Sequence, residues 1–359
     1  MAADVLIIGA GVSGLATAQA LLEQGLRVTV LEQGTVGRES SWAGGGILSP
    51  LCPWDYPEEV TRLACRGMAQ FGAWAAALHE ATDIDPEYTR SGMLVLPPFD
   101  GATAQRWCAQ HGFALQTVRA CDTLPGVAGE ALLLPEIAQA RNPRVLQALR
   151  RRVEMLGGCI VENCPVTGLR VLHDKVQAVQ TVQGEYAAER IVCTAGAWST
   201  QVLGEYALKL EIKPIRGQML LFKFDAPPLQ HIVLQNGLYL IPRRDGHLLV
   251  GSTLEDAGFD KSTSEAVREQ LIQRAGRLLP SLQTMPVMQH WAGLRPGSPG
   301  NIPTIGRHPA LENLYLNSGH FRYGVTMATA SVEVLLNILF DRPQPFDILP
   351  YQTGWRGAQ

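Results

Sequence analysis

The chain has 359 residues, enough for two domains, because a single hydrophobic core stops growing near about 250–300 residues. Apolar residues make up 46% and charged residues 18% of the chain, a balance typical of a globular enzyme and not of a disordered protein. The 30 basic and 33 acidic residues give a formal net charge of -3, which predicts no electrostatic attraction to nucleic acid or anionic lipid.

Targeting and metal signals are missing from the sequence. The first residues carry no cationic stretch before an apolar core, so secretion is not expected. No run of about 18 apolar residues predicts a membrane span. The seven cysteines include no C-x-x-C pair and the eight histidines no metal spacing, which predicts reduced thiols and no metal site. We therefore expect a cytoplasmic protein with no membrane partner.

The first predicted unit is a strand, a glycine turn and a helix. Residues 5–8 form a continuous apolar run, typical of a parallel strand buried on both faces. Gly9, Gly11 and Gly14 follow in the pattern G-x-G-x-x-G, which permits a tight turn, approach of a pyrophosphate and close packing of the helix. A helix is predicted over 15–22.

A carboxylate ends the second predicted strand, over 27–31. Glu32 stands eighteen residues after Gly14, where an acidic group binds ribose hydroxyls and repels a 2'-phosphate. The unit predicts an adenine dinucleotide and disfavours NADP, but it leaves FAD and NAD open. The glycines by themselves are also compatible with a tight turn that binds nothing.

Two further stretches bear on the cofactor. Three glycines at 44–46 follow Ser40 and Ser41, and a loop this bare can lie close to a flat ring, although a flexible surface loop is the alternative. Residues 191–198 are predicted to form an apolar strand and a small-residue turn that return the chain to the nucleotide sheet.

A β-hairpin is predicted over 237–251, with Asp-Gly at its turn. Tyr239 and Ile241 point to one face of it, which can cover the ring of a cofactor, and the intervening leucines point to the other. Arg295 precedes a proline, which favours an extended backbone, and Arg322 lies in a glycine-bounded turn. A guanidinium matches a carboxylate bidentately, which indicates a substrate with a carboxylate.

On these residues the chain resembles the D-amino acid oxidase family of flavoproteins, in particular its glycine oxidase branch, which is linked to thiamine biosynthesis in bacteria. The resemblance covers nearly the whole chain and is most specific in GLYLIPRRDGHLLVGST at 237–253, WAGLRPGSPGNIPTIGRHP at 291–309 and GHFRYGVTMA at 319–328. It implies noncovalent FAD, two interleaved domains and often a homotetramer.

The resemblance also implies site residues. The substrate contacts fall on Tyr239, Arg295 and Arg322, of which the first two are the catalytic pair. Gly237 and Leu254 replace a histidine and a methionine of a well-studied glycine oxidase, which leaves the substrate's size open. The cofactor contacts, including those of the glycine turn, are Gly9, Gly11, Val12, Ser13, Gly14, Glu32, Gln33, Ser40, Ser41, Gly45, Gly46, Ile47, Val166, His320, Phe321, Arg322, Tyr323, Gly324, Val325 and Thr326.

The predicted fold class is α/β, with a Rossmann-like FAD-binding domain interleaved with an antiparallel-sheet α+β substrate domain. The predicted FAD-binding domain comprises residues 1–85, 140–212 and 288–359, and the substrate domain comprises 86–139 and 213–287. Apolar residues at helical spacing predict a core helix over 60–80.

The predicted function is an FAD-dependent oxidase that deaminates glycine and related small amino acids or amines. Hydride transfer to flavin N5 would give an imine, which hydrolyses to a 2-oxo acid and ammonia, and O2 would be reduced to hydrogen peroxide. Two alternatives remain: a dehydrogenase of the same substrates with an acceptor other than O2, and a noncatalytic flavin-binding redox sensor. Glycine, sarcosine, small D-amino acids and amines are all open as the preferred substrate.

Overall fold

The computed structural model describes residues 3–356, so the ends of the predicted FAD-binding domain, 1–2 and 357–359, lie outside the described residues. The strands are β1 (Ala3–Ile8), β2 (Val28–Leu31), β3 (Ile47–Leu48), β4 (Thr89–Arg90), β5 (Met93–Val95), β6 (Gln116–Arg119), β7 (Glu130–Leu134), β8 (Ala138–Gln139), β9 (Cys159–Val161), β10 (Val166–Leu172), β11 (Lys175–Thr181), β12 (Gly184–Tyr186), β13 (Ala188–Cys193), β14 (Lys213–Lys223), β15 (Ile232–Gln235), β16 (Leu238–Pro242), β17 (His247–Gly251), β18 (Gln289–Gly297), β19 (Thr304–Arg307) and β20 (Leu314–Ser318). The α-helices are α1 (Val12–Leu22), α2 (Ser40–Ala43), α3 (Glu58–Thr82), α4 (Gly101–His111), α5 (Asn142–Met155), α6 (Ser199–Leu203), α7 (Glu265–Gly276), α8 (Gly324–Leu339) and α9 (Leu349–Gln352).

A six-stranded sheet carries the glycine turn, in the order β19-β20-β13-β1-β2-β9. Its strands pair in parallel, except that β19 runs antiparallel to β20 at the edge. The predicted strand-turn-helix-strand unit and the return of the chain at β13 are both confirmed, since β1 lies between β13 and β2. Parallel strands place their carboxyl ends at one edge, where nucleotides bind in open α/β sheets.

Helices cover one face of this sheet and build the largest apolar cluster. Ile7 and Val192 of the sheet pack in this cluster with residues of the helices, among them the fully buried Phe71 of α3 and Met327 of α8. The long helix predicted over 60–80 is confirmed as α3, whose apolar stripe packs on α8. The other face is covered by the small sheet β10-β11-β12.

An eight-stranded sheet lies opposite, in the order β18-β14-β17-β16-β15-β5-β7-β6. It is antiparallel except for the parallel pair of β15 and β5. The predicted hairpin is confirmed, with Tyr239 facing Gly251 across β16 and β17. Leu238 and Leu240 pack toward α7 on one face, whereas Tyr239 and Ile241 lie on the other face, as the alternation predicts.

The division into two interleaved domains stays a prediction. Strand β18, which that division assigns to the FAD-binding domain, pairs along its whole length with β14 and so belongs to the eight-stranded sheet. The position of β18 depends on backbone pairing with a segment that is distant in the chain, and the local sequence does not reveal such pairing. Within residues 3–356, no helix is both long and apolar enough to cross a membrane.

Candidate active site

One cavity of about 270 Å³ runs between the two large sheets. Ile8 and Gly9 line it from the six-stranded sheet, and Tyr239 and Arg295 line it from the eight-stranded sheet. All of the predicted cofactor and substrate residues line this cavity except Gly14 and Thr326. Residues that lie far apart in the chain therefore meet at a single site.

The glycine turn brings bare backbone to the cavity. Gly9 has a φ of 103°, and a Cβ there would lie 2.7 Å from the carbonyl oxygen of Thr194. Helix α1 begins directly after Gly11, and the N–H of Val12 donates to Ser41 Oγ at 3.0 Å. Gly14 does not line the cavity, and a Cβ there would collide with the Gly9 carbonyl. It serves the close packing that the motif predicts, and the amino end of α1 favours an anion.

Glu32 lies at the end of β2, beside the glycine turn. Its Oε2 accepts from the N–H of Ala10 at 2.7 Å, and Oε1 accepts from the N–H of Gly34 at 3.1 Å. Burial raises the pKa of this carboxyl, and the two backbone hydrogen bonds oppose the rise. The carboxylate is held next to the turn, where an acidic group can bind ribose hydroxyls.

The loop of three glycines at 44–46 is held from behind by Arg243. This side chain is 4% exposed, and it donates to Gly45 O at 2.7 Å, to Ala140 O at 3.0 Å and to Gln139 Oε1 at 2.7 Å. Burial lowers the pKa of Arg243 to about 10, and the nearby Arg141 adds to this effect. A buried cation thus fixes the loop that the sequence placed near the ring of the cofactor.

Asn142 holds the same loop from its other side. Its Nδ2 donates to Ser41 O at 2.8 Å and to Gly44 O at 3.1 Å. Gly46 has a φ of 72°, and a Cβ there would collide with Ala140 O. The loop is therefore a rigid part of the cavity wall and not the flexible surface loop that the sequence left open.

Replacing Arg243 by methionine should weaken FAD binding about tenfold or more, because the carbonyl oxygens of Gly45 and Ala140 lose their donors. FAD titration of the apoprotein measures this. Arg244 is the matched control: it is exposed and donates to Tyr88 O and Thr89 Oγ1 instead. Arg244→Met should leave the FAD dissociation constant unchanged, and equal effects of the two substitutions would contradict the assignment to Arg243.

Arg295 lies on β18, and its guanidinium lies over Gly217 of the neighbouring strand β14. Its Nη2 donates to Ser252 Oγ at 2.7 Å and its Nη1 to Thr253 O at 3.1 Å. A methyl group on Gly217 would overlap this guanidinium, so the glycine provides the space in which it lies. Because a guanidinium has five N–H donors, further donors remain for a ligand in the cavity.

The end of the cavity at Arg295 carries positive charge. Burial lowers the pKa of Arg295; Arg322 lowers it further, and the neighbouring Tyr239 opposes both. Within residues 3–356 neither arginine forms an ion pair with an acidic side chain. Tyr239 is 7% exposed, and among the described residues its hydroxyl donates only one long contact, 3.8 Å to Met219 Sδ. This end is suited to a small anion, such as a carboxylate.

The two departures from the resembled enzyme lie away from this end. Gly237 is in the turn between β15 and β16 with a φ of 75°, and Leu254 is 51% exposed. Neither residue lines the cavity. Ile47 and Leu51 do line the cavity, and both pack against the apolar cluster that contains Tyr239.

His320 is a buried neutral imidazole in the cavity wall. Its Nε2 lies 2.9 Å from Ser331 Oγ, which donates to Met327 O at 2.8 Å and therefore accepts the imidazole proton. Burial lowers the pKa of His320 to about 4. The side chain fixes the turn that carries Arg322 without adding charge at neutral pH.

The free energy of unfolding of the apoprotein should fall as pH drops from about 6.5 toward 4. In this range His320 binds a proton in the unfolded state but stays neutral in the folded state. With a folded pKa of about 4, the loss reaches about 3 kcal/mol at the acid end. His320→Gln should remove this part of the slope. Urea unfolding of both proteins at several pH values measures the difference, and parallel curves would contradict the interpretation.

Several cavity residues escaped the sequence analysis, among them Asn142, Trp198, Ser252 and Asn317. None belongs to the glycine pattern, and each reaches the cavity only through the fold. Trp198 alone had a signal, because it ends the small-residue turn after β13. Most of the predicted residues line the same cavity, and their roles in binding stay predictions.

Comparison with known proteins assigns the family. The model of a family described as FAD dependent oxidoreductase (DAO) matches residues 4–337. A glycine oxidase of Pseudomonas aeruginosa is 41% identical, over 99% of this chain and 100% of that protein, and one of Pseudomonas putida is 42% identical with the same coverage. The crystal structure of glycine oxidase from Geobacillus kaustophilus superposes with a TM-score of 0.91 at 26% identity, covering 97% of each chain. The chain belongs to the FAD dependent oxidoreductase family, within its glycine oxidase branch.

FAD is therefore the cofactor, and the residues present fit it. Gly9 and Gly46 bring backbone to the cavity where a Cβ would collide with its surroundings. Glu32 is held at the turn, and the amide of Asn317 is buried against the cavity without a partner among the described residues. The choice between FAD and NAD, which the first glycine turn left open, is decided by the family.

Proposed function

We propose that the protein is an FAD-dependent oxidase of glycine and similarly small amino acids. The observation that carries the proposal is that two guanidiniums, Arg295 and Arg322, line the cavity beside Tyr239 and form no ion pair with an acidic side chain among residues 3–356. The glycine oxidases that match nearly the whole chain support the same activity.

In the proposed mechanism, Arg295 binds the substrate carboxylate with the donors that Ser252 and Thr253 leave free. Arg322 adds positive charge at the same end, and the Tyr239 hydroxyl caps the carboxylate. These contacts hold Cα in one orientation, and positioning of this kind is the main requirement of hydride transfer. The remaining predicted residues of the cavity hold the cofactor.

When bound, FAD would supply a two-electron acceptor for the hydride that leaves the substrate Cα, and O2 with two protons would take up these electrons as hydrogen peroxide. The amine nitrogen loses a proton as the imine forms, and water hydrolyses the imine to a 2-oxo acid and ammonia. The side chains need supply no acid or base, which agrees with the lowered pKa of His320, since an imidazole with a pKa of about 4 is a weak base.

A peroxide-coupled panel of glycine, sarcosine, D-alanine, D-proline and ethylamine tests the proposal. We expect peroxide in equal amount to substrate consumed, and slow turnover of ethylamine, because it leaves Arg295 without a carboxylate. Oxidation with a dye acceptor but without peroxide would make the protein a dehydrogenase. If no compound of the panel reduces and bleaches the flavin in the absence of oxygen, the protein would instead be the noncatalytic redox sensor.

The setting of the enzyme belongs to the same proposal. We place it in the cytoplasm as a homotetramer with a role in thiamine biosynthesis, as the resemblance implies, and the seven cysteines without disulfide partners agree with a reducing compartment. Sedimentation equilibrium tests the tetramer. Growth of a deletion strain with and without thiamine tests the pathway.

A further inference from the structure

Asn317 lies at the cavity edge of the six-stranded sheet. Ile8 pairs with Cys193 and Cys193 with Leu316, so the next residues, Gly9, Thr194 and Asn317, lie side by side where the strands end. This row includes the first glycine of the phosphate-binding turn. Asn317 is among the residues that line the cavity.

The carboxamide of Asn317 is buried and unpartnered. The residue is 0% exposed, and neither Oδ1 nor Nδ2 has a hydrogen-bond partner among residues 3–356. A carboxamide offers two donors and an acceptor, and leaving them unpaired in the interior is costly. A buried group of this kind calls for a partner that the polypeptide does not supply.

The neighbouring polar side chains are all satisfied within the protein. Thr194 Oγ1 donates to Gly9 O at 2.9 Å, and Ser318 Oγ lies 2.8 Å from Ser199 Oγ. The other asparagine at this strand, Asn313, is also buried, but it accepts from the N–H of Val176 at 2.8 Å and donates to Val176 O at 2.9 Å. Asn317 alone among these side chains is left for a ligand.

We propose that the Asn317 carboxamide hydrogen-bonds the polar linker of FAD, the pyrophosphate and ribityl chain. This linker must pass the glycine turn, because phosphates bind at the amino end of α1. A neutral amide suits it, since Nδ2 donates to a phosphate oxygen or hydroxyl and Oδ1 accepts from a hydroxyl. The inference rests on FAD as the cofactor and not on the choice of substrate.

Asn317→Leu and Asn313→Leu form a matched pair of variants for the test. The apoproteins are titrated with FAD, and Tm is measured with and without FAD. For Asn317→Leu we expect the dissociation constant of FAD to rise about tenfold while the apoprotein Tm does not fall, because the substitution removes an unpaired polar group. For Asn313→Leu we expect a lower apoprotein Tm and an unchanged dissociation constant.

Asn317→Asp is the second variant, with the same shape and a charge that repels phosphate. It should weaken FAD binding more than the leucine variant does, which keeps the test decisive if leucine prevents folding. A dissociation constant within twofold of wild type for both variants would overturn the inference. Failure of the wild-type apoprotein to bind FAD would instead contradict the cofactor assignment, so the two failures are distinguishable.

Discussion

Replacing Arg295 by alanine should lower kcat/KM for glycine about 100- to 1000-fold, mainly through a higher KM. The guanidinium is the only group on β18 that reaches the cavity with donors to spare, and charge-assisted bidentate pairs are worth a few kcal/mol. Position 295 also requires the two parallel N–H donors of a guanidinium. Arg295→Lys should restore only part of the loss, because an ammonium cannot bind a carboxylate bidentately.

Steady-state kinetics and the FAD titration together check this prediction. FAD affinity should stay within about threefold of wild type, since in the proposed mechanism the guanidinium of Arg295 binds the substrate carboxylate and not the cofactor. The inhibition constant of acetate, a carboxylate without an amine, should rise in parallel with KM. Wild-type kinetics in the alanine variant would remove Arg295 from the substrate site.

Gly217→Ala should reproduce much of the Arg295 effect without touching a ligand. A methyl group at position 217 overlaps Cζ and both Nη atoms of Arg295, and this flexible end must move because the β14 backbone cannot. We expect KM for glycine to rise about tenfold or more, with the fold retained, because losing one charged hydrogen bond costs about 1.5–3 kcal/mol.

A double-mutant cycle is the control for Gly217. In an Arg295→Ala background the Gly217→Ala substitution should change KM little, because the guanidinium that it displaces is already absent. Additive losses would show that Gly217 acts through the backbone and not through Arg295. Tm of the four proteins separates this outcome from simple loss of stability.

Local patterns predicted much of the fold and part of the site. The β1-turn-α1-β2 unit, the helix α3 and the hairpin β16–β17 were all predictable, because each depends on spacing within a short stretch. The same holds for the glycine turn, the loop at 44–46 and the two faces of β16. These local patterns are predictive because the spacing of apolar residues within an element reflects which of its faces is buried in the fold.

Other features depend on partners far away in the chain. Strand β18 joins the eight-stranded sheet through pairing with β14, and no local pattern gives that register. Arg243 looks like a surface arginine in a turn sequence, yet it donates to Gly45 across nearly two hundred residues. Gly217 in PIRGQML carries no turn signal, and its use appears only where Arg295 crosses β14.

The sequence by itself determined that the chain binds an adenine dinucleotide on a parallel sheet and that it resembles flavin amino acid oxidases, and it predicted Tyr239 and Arg295 as the residues for a carboxylate. These conclusions rest on short motifs whose geometry is set by neighbouring residues. Only the tertiary structure decided that both arginines lack an acidic partner within residues 3–356, that Gly217 makes room for Arg295, and that the carboxamide of Asn317 is buried with no hydrogen-bond partner among those residues. Burial and charge pairing are properties of segments brought together by folding, and no single segment encodes them.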